Sequence, residues 1–220
     1  MITFFGQPKY SGNEVQKRII GYELLMRVFK EGKWQTQTDF HQVSPEELEA
    51  LALQVIGHVS KQVKIFSINL EDYQFVDPAF LEMLKDLKQK TATDLYIELT
   101  ERSNHDVSQT ELISFIQKYD QSGLKICVDD VGTGRNSREN IEKMRCFVTE
   151  FKFALQNFRP KEDSVTLLKE LDYWYGLSKK YHKEFVIEGI ETQNELSLIL
   201  KKYPCTAIQG YFLGKPQAIS

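Results

Sequence analysis

Cysteine is scarce. The 220 residues contain three, Cys127, Cys146 and Cys205, and their spacing matches no zinc or redox motif, so they read as reduced thiols of a cytoplasmic protein. No run of roughly 18 consecutive apolar residues occurs, which excludes a membrane-spanning helix. The opening M-I-T-F-F-G-Q-P lacks the basic stretch and long apolar core of an export signal. An excess of positive charge is also missing: 28 Lys and Arg stand against 31 Asp and Glu, for a net charge of -3. Binders of nucleic-acid polymers carry a basic face, so that class of partner is not expected. A negatively charged small substrate would need a local cation instead. Low-complexity segments and Pro/Gly-rich linkers are absent, and residues 1–220 read as one domain. The four histidines form no H-E-x-x-H constellation, no G-x-S-x-G nucleophile is present, and Gly132-Thr133-Gly134 lacks the Lys-Ser/Thr ending of a P-loop.

The composition that remains, 41% apolar and 27% charged, is that of an ordinary globular domain. Short runs rich in Ile, Val, Phe and Tyr recur at residues 19–25, 63–70, 95–99, 124–128, 147–153, 184–188 and 206–210. They have strand length and little clean alternation, as expected of strands covered on both faces. Helix-start signals lie between them: Ser44-Pro45-Glu46-Glu47, Asp77-Pro78, Ser108 with Glu111, and Thr192 with Glu195. Strand and helix alternate along the chain without an Asn-Gly hairpin signal, which predicts a parallel α/β architecture, either an open doubly wound sheet or a (β/α)8-type barrel.

The polar residues at the ends of these runs favour the barrel. Glu23, Asn69, Glu98, Asp129 with Asp130, Lys152, Glu188 and Gln209 each fall near the end of an apolar run. An open sheet gathers functional groups at one crevice, whereas a barrel brings every strand end to one mouth. Singly, each residue has a plain reading: an edge glutamate, an Asp-Asp turn, a solvated lysine. Together they would crowd five carboxylates into one mouth, which calls for cations. Oxygen donors of this kind suit Mg²⁺ or Mn²⁺, and adjacent aspartates can serve two ions that clamp a phosphoester. Lys152 could offset charge developing in the transition state.

Read in order, Glu23-Leu24-Leu25-Met26-Arg27, Asn69-Leu70, Glu98-Leu99-Thr100-Glu101, Asp129-Asp130-Val131-Gly132-Thr133-Gly134, Glu188-Gly189-Ile190-Glu191-Thr192 and Gln209-Gly210-Tyr211-Phe212-Leu213-Gly214-Lys215-Pro216 resemble the EAL-domain family. That resemblance implies a modified TIM barrel with one antiparallel strand, a stand-alone cytoplasmic domain, and hydrolysis of cyclic di-GMP to linear pGpG with Mg²⁺ or Mn²⁺, two ions in all. It further implies that Glu23, Asn69, Glu98 and Asp129 ligate one ion and that Asp129, Asp130 and Glu188 hold the second. Lys152 would help activate water beside Gln209, and Arg27 would contact substrate phosphate. Glu101 and Glu191 would hold the loop and the lysine in place, and Gly132 and Gly134 would shape the loop. A homodimer is the associated assembly. Three single positions and one loop depart from the pattern: Leu24 replaces the signature alanine, Glu71 a serine, Ala154 an aspartate, and Arg135-Asn136-Ser137-Arg138 an aromatic, two serines and a leucine. The departures at Ala154 and at Arg135 to Arg138 leave a second expectation, a weak or inactive domain that serves as a cyclic di-GMP receptor or interaction module.

Overall fold

A computed structural model describes residues 1–13, 18–36, 43–59, 63, 65–91, 93–100, 107–159 and 164–219. The strands are β1 (Ile2–Ser11), β2 (Ile19–Lys30), β3 (Lys33–Thr36), β4 (Ile65–Leu70), β5 (Asp94–Leu99), β6 (Lys125–Val128), β7 (Glu150–Ala154), β8 (Glu184–Glu188), β9 (Ala207–Ile208) and β10 (Gln217–Ala218). Strands β2, β4, β5, β6, β7, β8 and β9 pair successively in parallel. Strand β1 joins the two ends of that series, antiparallel to both β2 and β9. The result is a closed barrel of eight strands, one of them antiparallel. Strands β3 and β10 are antiparallel annexes to β2 and β1.

Strand β1 is not among the runs recognised in the sequence, because Gly6 and Pro8 interrupt its apolar pattern. Pro8 is tolerated because it falls between two short pairings on that edge: β10 opposes Phe5 and Gly6, and β9 opposes Tyr10 and Ser11. No ladder N–H is needed there. A hairpin is present without an Asn-Gly signal. Strands β2 and β3 are joined by Glu31-Gly32, both at positive φ (52° and 75°), the backbone of a two-residue type I′ turn. Glutamate fills the position where asparagine or aspartate is usual, so the sequence signal is weak. Residues 147–149 precede β7 and do not belong to it.

Around the barrel lie α1 (Pro45–His58), α2 (Asp72–Phe75), α3 (Pro78–Lys90), α4 (Gln109–Gln121), α5 (Arg138–Met144), α6 (Leu155–Phe158), α7 (Ser164–Lys180) and α8 (Gln193–Lys202). Ser44, Asp77, Ser108 and Thr192 cap α1, α3, α4 and α8 through their side chains, as expected, and Thr192 with Glu195 closes a reciprocal box. Each cap satisfies one of the amide groups that the first helical turn leaves unbonded.

Alternation along the strands sorts their residues into two sets. Leu24, Ile68, Ile97, Phe151, Phe153 and Ile187, all fully buried, belong to the core shared with the helices. Leu24 falls on this outward set, next in chain to Glu23, so its extra bulk is taken up between barrel and helices and not inside the barrel. The inward set is polar to an unusual degree: Lys9, Glu23, Ser67, Glu98, Glu150, Lys152 and Gln209 are all at most 5% exposed. Barrel interiors are ordinarily filled by branched apolar side chains. Burying this many charges is stable only if they neutralise one another.

Candidate active site at the carboxyl ends of the strands

The upper part of this inward set meets around the Lys152 ammonium. Its Nζ lies 3.1 Å from Glu23 Oε2, 2.8 Å from Glu98 Oε2, 3.4 Å from Asp129 Oδ1 and 3.1 Å from Glu188 Oε2. The reading of Lys152 as a solvated lysine is excluded, since it is 1% exposed. Parallel pairing of β2, β4, β5, β6, β7 and β8 brings these groups into one layer: Asn69, Glu98 and Glu188 lie at or next to the carboxyl ends of β4, β5 and β8, Asp129 directly follows β6, and Glu23 and Lys152 lie within β2 and β7. Asn69 Nδ2 donates to Glu23 Oε1 at 2.9 Å, and Gln209 Nε2 donates to Glu23 Oε2 at 3.1 Å. The Gln209 Oε1 atom is buried without a hydrogen-bond partner, leaving an acceptor on the wall of the site.

Above this layer opens a cavity of about 390 Å³, lined in part by Gln7, Glu23, Asp129, Lys152, Glu188 and Tyr211, within the size range of small-ligand sites. Burial pushes the Asp129 carboxyl well above the ordinary carboxylate range, against the pull of Lys152 and with added repulsion from Glu188, Glu98 and Asp130. Burial works against the Lys152 ammonium as well, yet Asp129, Glu188, Glu23 and Glu98 together raise its pKa well above the usual lysine value. Lys152 is therefore a permanent cation within an excess of carboxylates. Oxygens of Asp129, Asp130 and Glu188 also lie within 4.8 Å of one another. Hard oxygen donors and a local surplus of negative charge fit divalent cations such as Mg²⁺ or Mn²⁺.

The loop after β6 presents the two aspartates. Asp130 has φ 49°, a left-handed conformation that aspartate tolerates better than most residues, and its N–H donates to Asp129 Oδ1 at 3.0 Å. Gly132, at φ 92°, has no room for a side chain: an added Cβ would stand 2.8 Å from Trp174 Nε1. Gly134 also has positive φ, at 44°.

The altered residues of this loop anchor it. Asn136 is buried, donates from Nδ2 to the Asp129 carbonyl, and accepts at its own carbonyl from Gly132 N at 2.9 Å. Arg135 reaches Asp72 Oδ2 of α2 at 3.1 Å and the Val107 carbonyl at 2.6 Å. Ser137 caps α5, while Arg138 pairs with Glu170 at 2.6 Å and lies over the Tyr173 ring at 3.8 Å. Because Asp72 is 2% exposed, Arg135→Gln is expected to lower stability by about 2–4 kcal/mol, near the cost of breaking a largely buried pair. Chemical denaturation measures this, and a change under about 0.5 kcal/mol would mean that Asn136 alone fixes the loop.

The other expected site residues are placed as follows. Arg27 is half-buried, donates to the Met26 carbonyl at 2.9 Å and stands 5.9 Å from the Phe5 ring. Glu191 lines the cavity but pairs with Arg159 at 2.7 Å, outside the ring of four carboxylates around Lys152. Arg159 also binds the Gly189 carbonyl at 2.6 Å and Glu195 at 2.7 Å, so it fixes the loop that follows Glu188. Ala154 is wholly buried opposite Glu188 in the β7–β8 ladder. Gln156 donates to Glu188 Oε1 at 2.8 Å, giving that glutamate a neutral partner beside a position that lacks a carboxylate. Glu71 begins α2 in a reciprocal box with Gln74. Glu101 lies outside the described residues.

Sequence reasoning missed Gln7, Lys9, Ser67, Glu150, Gln156 and Arg159. The first two belong to the unrecognised strand. Ser67 and Glu150 lie two residues before Asn69 and Lys152, where a period of two would have found them. Gln156 and Arg159 carry no sequence signal.

Comparison with known proteins places the chain in a family and matches its fold. The chain is 24% identical over 152 residues to the probable cyclic di-GMP phosphodiesterase PdeG of Escherichia coli, covering 68% of this chain and 29% of that protein. It is 26% identical over 185 residues to the oxygen sensor protein DosP of the same organism, covering 77% of this chain and 22% of that protein. The chain thus spans roughly a quarter of the length of these relatives. The Bacillus subtilis YkuI protein, which has an EAL domain and was solved with cyclic di-GMP and calcium, superposes with a TM-score of 0.78 at 20% identity, covering 98% of this chain and 56% of that one. Residues 4–216 match the EAL domain profile, and the chain belongs to the EAL domain family.

Proposed function

We propose that this domain is a divalent-metal-dependent phosphodiesterase that hydrolyses cyclic di-GMP to linear pGpG. The observation that carries the reading is the convergence of Glu23, Glu98, Asp129 and Glu188 on one buried ammonium beneath an open cavity. Glu23, Asn69, Glu98 and Asp129 would hold one Mg²⁺ or Mn²⁺, and Asp129, Asp130 and Glu188 a second. Ions bound there would supply Lewis-acid polarisation of a phosphoryl oxygen and lower the pKa of a coordinated water. Lys152, with Gln209 close by, offsets negative charge building on the phosphoryl group, and Arg27 offers a planar fork to the substrate's other phosphate. The three cysteines are free thiols, in keeping with a cytoplasmic location.

Incubation with cyclic di-GMP and Mg²⁺ or Mn²⁺, with the product identified by mass, is the direct test. Formation of pGpG is expected, and a yield no greater than that of a Glu23→Ala control would refute the reading. A second reading, that of a slow enzyme or nucleotide receptor, is favoured by one observation. Both Glu188 oxygens are engaged, Oε1 by Gln156 and Oε2 by Lys152, beside the carboxylate-free position 154. Tight nucleotide binding without pGpG would select it.

A further inference from the structure

One layer below the site, Lys9 is 1% exposed. Its Nζ donates to Glu98 Oε1 at 2.9 Å and to Ser67 Oγ, and lies 3.6 Å from Glu150 Oε1. Glu98, Cys127 and Glu150 there present three donor atoms close enough together for a metal ion, but the Lys9 ammonium already bonds to one of those carboxylates and lies near another. It arrives because β1 is antiparallel: Gln7 stands opposite Glu23 at the level of the site, and Lys9 stands opposite Gly21, one layer deeper.

The consequence concerns Glu98. Its two oxygens are divided, with Oε1 held from below by Lys9 and Oε2 directed to Lys152 at 2.8 Å. We propose that Lys9 is a positioning residue, a resident cation that fixes the Glu98 carboxylate so that Oε2 alone faces the metal layer. Removing Lys9 leaves Oε1 without its donor, and the carboxylate turns toward whichever cation remains. The inference rests on the reading of Glu98 as a metal ligand.

Its test is Mn²⁺ binding to the full chain without nucleotide, followed by electron paramagnetic resonance and calorimetry, with thermal unfolding in chelator recorded alongside. Lys9→Met is expected to weaken Mn²⁺ binding about 10–100-fold, the usual effect of removing a group that orients a ligand. Ser67→Ala, which keeps every charge and removes one acceptor from Lys9, is expected to weaken it about fivefold, the loss of roughly one hydrogen bond. If Lys9 only supported the fold, Lys9→Met would melt earlier but bind Mn²⁺ as the wild type does, and that result overturns the proposal. Should Lys9→Met not fold, Ser67→Ala decides, with unchanged Mn²⁺ affinity overturning it. Absence of Mn²⁺ binding by the wild type would be a different failure, that of the metal-dependent reading itself.

Discussion

Lys152→Met is expected to reduce cyclic di-GMP hydrolysis by at least about 10²–10³-fold, the range for losing a preorganised group that stabilises transition-state charge. It is also expected to destabilise the metal-free protein. The ammonium stands within 3.4 Å of four carboxylates, and of these only Glu98 keeps Lys9 as a second buried cation. Breaking a buried pair by removing one partner costs about 3–5 kcal/mol. The compensating outcome is specific to this arrangement. Without the ammonium, Glu23, Asp129 and Glu188 gain their cation only from solution, so added Mn²⁺ should raise the melting temperature of the variant more than that of the wild type. Thermal unfolding with and without chelator measures both effects. Equal metal-induced shifts in the two proteins would show that Lys152 and the ions do not share those carboxylates.

Glu98→Gln is the second large change. Burial alone would raise the Glu98 carboxyl, but Lys152 and Lys9, through charge and hydrogen bonds, bring it down from 4.5 to about 2. A carboxylate whose folded value lies below its unfolded one contributes stability above the unfolded value and loses it as pH falls toward the folded one. Glu98 therefore stabilises the fold above about pH 4.5 and ceases to do so near pH 2. The shift corresponds to about 3 kcal/mol. The variant is expected to be less stable than the wild type by roughly that amount at pH 7, with the gap closing as pH falls through this window. Denaturation at pH 7 and pH 3 reads the gap directly, and a gap independent of pH would contradict the double-lysine cradle. Turnover should fall as well, since an amide supplies no charge to a cation.

Much of the site was legible in the sequence because parallel strands repeat one design. Glu23, Asn69, Glu98, Asp129, Lys152 and Glu188 each fall near the end of an apolar run, and a barrel turns that linear repetition into a ring. The layer beneath was not read, although Ser67 and Glu150 occupy the same inward face two residues earlier. Their strands are buried on both sides, and the usual contrast between polar and apolar faces is weak there. Strand β1 was hidden by Gly6 and Pro8, and Gln7 and Lys9 with it. The Arg159 partner of Glu191 could not be read from the sequence, because it caps the short α6 whose placement depends on how β7 ends beside β8. The loop residues 135 to 138 looked like losses in the sequence. In the fold, Arg135 and Asn136 are the groups that tie the loop to α2 and to Asp129.

Ring closure through β1 has a consequence in time. Its long pairing with β2 needs only residues near it in the chain, from Ile2↔Val28 to Tyr10↔Ile19. Its pairing with β9 joins Tyr10 to Ile208. During synthesis the hairpin can form early, but Lys9 emerges long before Glu98 and Glu150, the groups that neutralise it, and Gln209 emerges last. Contacts between such distant segments are slow to form, because the chain entropy is lost before they stabilise anything. The layer of Lys152, its four carboxylates and Gln209 can therefore be completed only after the end of the barrel has left the ribosome, and a nascent chain stalled before residue 207 would lack the strand that closes the barrel onto β1.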